Sequence, residues 1–149
     1  MPNPYAMNRY SPAYYSGVAT PPKGQVLYDD KPIHYPYNPP NGELTANQFL
    51  PNDTLAIQAN ADFILFGYYF SLYTGLLGFQ ITDSTGYQLS TGLEYSSLVS
   101  QDPADPTVLP VAHFFPANGK LLITTQDYSG AANPFQLVFV GINRYRVQK

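Results

Sequence analysis

The side chains able to do chemistry are few in this chain of 149 residues, and their spacing limits what they can do. There are two histidines, His34 and His113, far apart in sequence, and no cysteine. Thiol catalysis, disulfides and cysteine zinc sites are therefore excluded, and no H-x-x-x-H pair offers a second histidine ligand. His113 lies in the apolar run VAHFF, where a hydrogen-bonded core or interface histidine is expected. Asp102 and Asp105 in QDPADPT lack the spacing of a calcium loop and read as solvated acids in a proline turn. Ser96 and Ser97 in EYSSL sit in no nucleophile elbow and have no histidine at a recognisable spacing. Asp62, Asp83 and Glu94 are the carboxylates that would have to pair for glycoside hydrolysis, and nothing in their spacing pairs them. Asp62 reads instead as a turn residue leading into a strand. YTGLLGF has neither the spacing nor the lysine of a phosphate loop. No catalytic residue, metal site or cofactor is expected.

Two groups remain whose chemistry suits binding. Arg144 and Arg146 lie near the C-terminal end, with Lys149 beyond them. At strand period they share one face, placed to meet an acidic neighbour or a phosphate, or simply to guard a sheet edge. The second group is Tyr5, Tyr10, Tyr14 and Tyr15 in MPNPYAMNRYSPAYYSGVATPP, a stretch with five prolines and no acid. Tyrosine offers a large apolar body with a polar tip, which suits contact with a partner. Fixing the backbone of such a segment costs more than four buried rings return, so only long contact with something larger orders it. Flexible linkers are rich in serine, glycine and charge. This stretch is aromatic, and it is expected to dock on a partner or a neighbouring copy.

The elements that position these residues are strands. Nine of the fifteen prolines and half of the fourteen tyrosines precede Asn41. Residues 1–42 read as an extended Pro/Tyr-rich N-terminal arm, with QVLYDD and IHYPYN as possible short edge strands. Residues 43–149 read as a β domain. NDTLAIQ alternates at Leu55 and Ile57, and ADFILFGYYFSLYT suits a strand buried on both faces or bent at Gly67. LLGFQITD puts Phe79 and Ile81 on one face and Gln80 and Thr82 on the other; DSTG supplies a turn and YQLS a hairpin partner. LEYSSLVSQ leaves room for one helical turn. VLPVAHFF, KLLITTQ (through Leu121, Ile123 and Thr125) and PFQLVFVGINRYRV complete the set. In the last, Phe135, Leu137 and Phe139 oppose Gln136, Val138 and Val140. The expected fold is an all-β antiparallel sandwich, jelly-roll-like, behind the arm.

Charged residues are only 11% of the chain and aromatics 15%, with a net charge of -3. A solvated surface normally carries more charge, so part of this one is expected to face protein in the working state. The acidic balance argues against nucleic acid. The longest apolar run is about half a membrane span, and the first residues lack the apolar core of a secretory signal. A soluble protein made in a cytoplasm is the expectation.

From Glu43 to Val147 the chain resembles small β-sandwich structural proteins of tailed bacteriophages. The residues behind the resemblance are ADF opening an aromatic strand, GFQITDSTGYQLS, FFPANGKLLI and FQLVFVGINRYR. The resemblance implies a non-enzymatic virion component made in the host cytoplasm. It would be a capsid decoration or cement subunit, or a minor head or tail protein, bound to other capsid or tail structural proteins. A homo-oligomer, with a trimer favoured, goes with it, as does a role for the aromatic arm in holding neighbours. The other reading is a receptor- or carbohydrate-binding module of a tail fibre, since exposed tyrosines stack on sugars.

Overall fold

The structure is a computed structural model that describes residues 27–147. Its strands are β1 (Leu27–Tyr37), β2 (Glu43–Leu44), β3 (Phe49–Ala56), β4 (Asp62–Tyr73), β5 (Leu77–Asp83), β6 (Glu94–Tyr95), β7 (Thr107–Phe115), β8 (Lys120–Asp127) and β9 (Asn133–Val147). Two one-turn 3₁₀ segments lie at Pro40–Gly42 and Ser96–Leu98, and no other helix occurs among the described residues. The strands form two antiparallel sheets. One runs β1-β9-β4-β7, with β2 beside the start of β9; the other runs β3-β8-β5-β6. The fold is all-β and sandwich-like, with the core between the two sheets.

The alternation in sequence becomes the core. Phe135, Leu137 and Phe139 of β9, Leu121 and Ile123 of β8, and Phe79 and Ile81 of β5 are all buried in one cluster. Aromatic rings join the sheets edge to face. Phe79 of β5 meets Tyr68 of β4 at 5.4 Å and Phe70 of β4 at 5.8 Å between ring centres. Two phenols tie the layers further. Tyr37 of β1 donates to Asp53 of β3 at 2.7 Å, and Tyr68 donates to Glu94 of β6 at 2.7 Å. Burial, then the hydrogen bond to the carboxylate, pushes both phenols well above the usual tyrosine range, so both stay protonated donors.

The segment before Asn38 differs from its expected form. The two short strands are one strand of 11 residues, paired with β9 from Leu27↔Val147 to Tyr37↔Leu137. Pro32 and Pro36 are tolerated because β1 is the sheet edge and has a ladder on one side only. Tyr35 and Tyr37 point inward and are buried, so these two tyrosines belong to the core. Strand β4 is buried on both faces and also bulges between Leu65 and Gly67, where both sets of pairings shift. YQLS makes only the start of a hairpin. The N–H of Asp83 donates to the Tyr87 carbonyl and that of Leu89 to the Ile81 carbonyl, Thr82 bridges Gln88, and β5 then takes β6 as its partner. The single turn expected in LEYSSLVSQ is the 3₁₀ segment at Ser96–Leu98.

Candidate interaction surface

Most of the side chains able to do chemistry are engaged in holding the fold. Ser96 is buried; its hydroxyl accepts the N–H of Leu77 at 2.9 Å and donates to Tyr73 at 3.2 Å. Asp62 begins β4 and accepts the N–H of Ala117 at 2.8 Å, which fixes the turn between β7 and β8. Asp102 accepts from Ala104 N–H, and its own carbonyl accepts from Asp105 N–H, a turn as expected. Asp83 and Glu94 stand in the same sheet, but Glu94 faces Phe79, four residues back along β5 from Asp83. That is roughly 13 Å of strand, longer than the separation of glycosidase carboxylates. Among the described residues no three histidine, aspartate or glutamate side chains converge as metal ligands. No helix there is long and apolar enough to cross a membrane.

His113 closes one side of the sandwich. Its Nε2 lies 2.9 Å from Asp83 Oδ2, Tyr87 stacks on its ring at 5.2 Å and 3°, and Phe115 meets it edge-on at 4.8 Å. This joins β7 of one sheet to the turn after β5 of the other. Burial alone would raise the Asp83 pKa. Hydrogen bonds from Thr85, the Tyr87 N–H and His113 outweigh it and hold the carboxyl below the usual range.

Arg144 and Arg146 share the outer face of β9, as their spacing implies. Arg144 meets an acid: its Nε and Nη2 grip Asp30 of β1 at 2.8 and 2.6 Å. The pair is largely out of water, with the Arg144 side chain 15% exposed and that of Asp30 2%. Tyr28 lies under the guanidinium at 5.0 Å. Arg144→Ala leaves the Asp30 carboxylate buried without its partner. It should cost about 3 kcal/mol in urea denaturation, and Arg144→Lys should recover only part because it cannot make the two-pronged grip. Arg146 is exposed and borders a shallow cleft of about 370 Å³ shared with Asp62 and Ala117. Tyr5, Tyr10, Tyr14 and Tyr15 lie outside the described residues.

The surface that stands out chemically is the edge strand β7, TVLPVAHFF, which carries no Asp, Glu, Lys or Arg over nine residues. Val111 is 79% exposed, Phe114 53% and Val108 39%. Between Leu109 and Ala112 the strand bulges, since Leu65 pairs with His113 and Gly67 already with Val108, and four residues of β7 stand against Phe66 alone. Pro110 and this bulge spoil the free edge for another strand. A partner would therefore meet side chains, not the backbone ladder. A groove of about 480 Å³ runs beside the strand, walled by Val108, Leu109 and Pro110 and, opposite, by Ser90, Thr91 and Glu94. A smaller hollow of about 220 Å³ adjoins it at Tyr87 and His113. In sequence VLPVAHFF reads only as a strand. The signal that it lies at an edge is the lack of charge together with Pro110, and neither says which side is bare. No protein-family model, curated protein or solved structure matches the chain.

Proposed function

We propose that the chain is a non-enzymatic structural subunit of a virus particle, a capsid decoration or cement protein or a head–tail component, that works by joining other subunits. The observation that carries this reading is the uncharged, apolar β7 edge. Exposed apolar surface free of charge is uncommon on a monomer and marks contact with protein. The strand order lends support. The pairs β1/β9, β3/β8, β4/β7 and β5/β6 nest inside one another, so the chain is wound as one long hairpin of four strand pairs. That winding suits a jelly roll, an architecture shared by viral capsid and lectin domains. Fold alone does not fix function, so the reading rests on the edge.

Light scattering over a concentration series is the test. The full chain should show a mass that is a multiple of 16.5 kDa, a trimer being the favoured state. Val111→Asp with Phe114→Asp should return it to one chain, because each buried apolar contact becomes a buried charge. A full chain that stays at single-chain mass and ignores intact particles would overturn the reading. The groove favours the second reading, a carbohydrate-binding tail module, because Ser90, Thr91 and Glu94 line it and the exposed Tyr87 lines the hollow beside it. Saccharide binding by a monomeric full chain would select that one.

A further inference from the structure

The outer face of the β3-β8-β5-β6 sheet carries a row of aromatic rings. Cross-strand pairing sets Phe49 of β3, Gln126 of β8, Gly78 of β5 and Tyr95 of β6 side by side. Paired residues share a face, and the inner face of this sheet holds Phe79, Ile81, Leu121 and Ile123, so the row lies outside. Three strand spacings make it about 14 Å long. Tyr128 lies two residues beyond Gln126, on the same side. Its ring is seated where Gly78 leaves the backbone bare: a Cβ at Gly78 would lie 2.8 Å from the ring. The Tyr95 and Tyr128 rings stand 5.8 Å apart with a 55° tilt. Phe49 is 54% exposed, Tyr95 51% and Tyr128 41%. Amides stand among the rings. Gln126 Oε1 accepts from the Tyr128 hydroxyl at 3.4 Å, and its NH₂ has no bond among the described residues. Gln80, on the same face, is held through Nε2 by the Ser90 carbonyl at 3.0 Å, which leaves its Oε1 as an acceptor. No charge stands near them. Asp53, Asp83, Glu94 and Asp127 all pair with residues of the inner face. Lys120 is six residues from Gln126 along β8, about 20 Å away.

We propose that this face is a platform for a neutral, β-linked oligosaccharide whose sugar rings lie flat on Phe49, Tyr128 and Tyr95. A sugar with equatorial hydroxyls has an apolar C–H surface on each side and a polar rim. The C–H surface suits an exposed aromatic ring. Each hydroxyl is both donor and acceptor, and the free NH₂ of Gln126 and the free Oε1 of Gln80 offer one of each. The absence of charge matches a neutral ligand and not an acidic one, which would lose its hydration without gaining a counter-charge. Tyr128 is seated before any ligand arrives, so little side-chain freedom is lost on binding. A protein partner asks for an apolar centre, and the centre of this row is Gln126. The aliphatic β7 edge, with Val108 and Val111, is the surface of that other kind. The platform uses no residue of β7, so it goes beyond the assembly role and does not rest on it.

The test is an NMR titration of the full chain, with isotope-labelled tyrosine rings, against cellotetraose and chitotetraose. The ring signals of Tyr95 and Tyr128 should shift with at least one of them, and that of Tyr87, in the hollow beside β7, should not. Tyr95→Ala should weaken binding about tenfold and Gln126→Ala about fivefold. Both side chains are at least half in water, so neither change should move the thermal midpoint by more than about 2 °C. Binding should be equally tight at low and high salt, because no charge takes part. No shift with either sugar would overturn the proposal. So would a shift at Tyr87 alone, which would place the sugar in the groove, or binding that ignores Tyr95→Ala. An oligomer whose mass falls with Tyr95→Ala would overturn it too, and give the face to a second copy. Light scattering on the same samples reads assembly separately. A single-chain mass with shifts at Tyr95 and Tyr128 would keep the platform and remove the assembly role; an oligomer without those shifts would do the reverse.

Discussion

Asp127→Asn should cost about 3 kcal/mol at neutral pH, although it changes one atom at the end of β8. Asp127 is 1% exposed and accepts five hydrogen bonds. Its Oδ2 takes the N–H of Asn47 at 2.8 Å and of Gly130 at 3.0 Å. Its Oδ1 takes the N–H of Ser129 at 3.0 Å, the Ser129 hydroxyl at 2.6 Å and Asn133 Nδ2 at 2.9 Å. Asn133 in turn donates to the carbonyls of Gly75 and Leu76. One carboxylate thus holds together the loops before β3, before β5 and before β9. An amide turned either way sets its NH₂ against donors and leaves at least two of them unpaired inside the protein. The pH dependence has a definite sign. Burial by itself would raise the carboxyl pKa. The bonds from the Ser129 hydroxyl, Asn47 N–H, Asn133 and Ser129 N–H outweigh that and hold it well below the usual range. A lowered folded pKa means the stabilisation is complete above the unfolded value near 3.9 and is lost as pH falls toward the folded value. Urea titrations of wild type and Asp127→Asn should therefore stay about 3 kcal/mol apart above about pH 5 and draw together below about pH 4. A gap that is constant with pH would mean the carboxylate charge is not what holds the loops.

None of that cluster is visible in the sequence. Nothing local sets Asp127 in QDYSG apart, and only the folded chain brings Asn47 to it from 80 positions away. The same limit governs Arg144. Period two places it on one face with Arg146, but Asp30 is 114 positions distant and nothing local names it. What is local is legible. The alternation of Leu121, Ile123 and Thr125, of Phe79 and Ile81, and of Phe135, Leu137 and Phe139 gives the inner faces of β8, β5 and β9 directly, because burial on one side imposes the period. The unbroken run in β4 announces burial on both faces without saying what lies on the second. Strand β1 reads as two short edge strands, because Pro32 and Pro36 argue against a central position; the edge is where it lies, but a single ladder to β9 carries it unbroken from Leu27 to Tyr37. Which strands are edges is a property of the order β1-β9-β4-β7 and β3-β8-β5-β6, set by pairings between distant segments. That is why the bare flank of β7 has to be seen in the fold.

Gly141→Ala should all but abolish folding, the largest effect expected of any single methyl group in the described chain. Gly141 sits in the middle of β9, between β1 on one side, where it faces Ile33, and β4 on the other, where it faces Leu65. A Cβ there would lie 2.0 Å from the carbonyl oxygen of Ile64 and 2.7 Å from the ring of Phe63. In an open site the ring would turn aside, but Phe63 is fully buried against Tyr35 and Phe115. The carbonyl cannot turn aside at all, because it belongs to the backbone of β4, and β4 is locked between β9 and β7. Relief requires the two central strands of the sheet to part, which would open the core on one face and the Ile64, Phe66 and Ile142 cluster on the other. The cost should exceed about 3 kcal/mol and lower the thermal midpoint by more than about 10 °C, if the variant accumulates in soluble form. Gly92→Ala is the matched control: a Cβ there meets nothing within 4 Å and its backbone is not left-handed. It should leave the midpoint within about 2 °C of wild type, as surface changes usually do. A folded, fully stable Gly141→Ala would mean that β4 and β9 do not approach as closely as the pairing of Leu65 with Gly141 requires, and the register on both sides of the bulge at Gly67 would have to be redrawn.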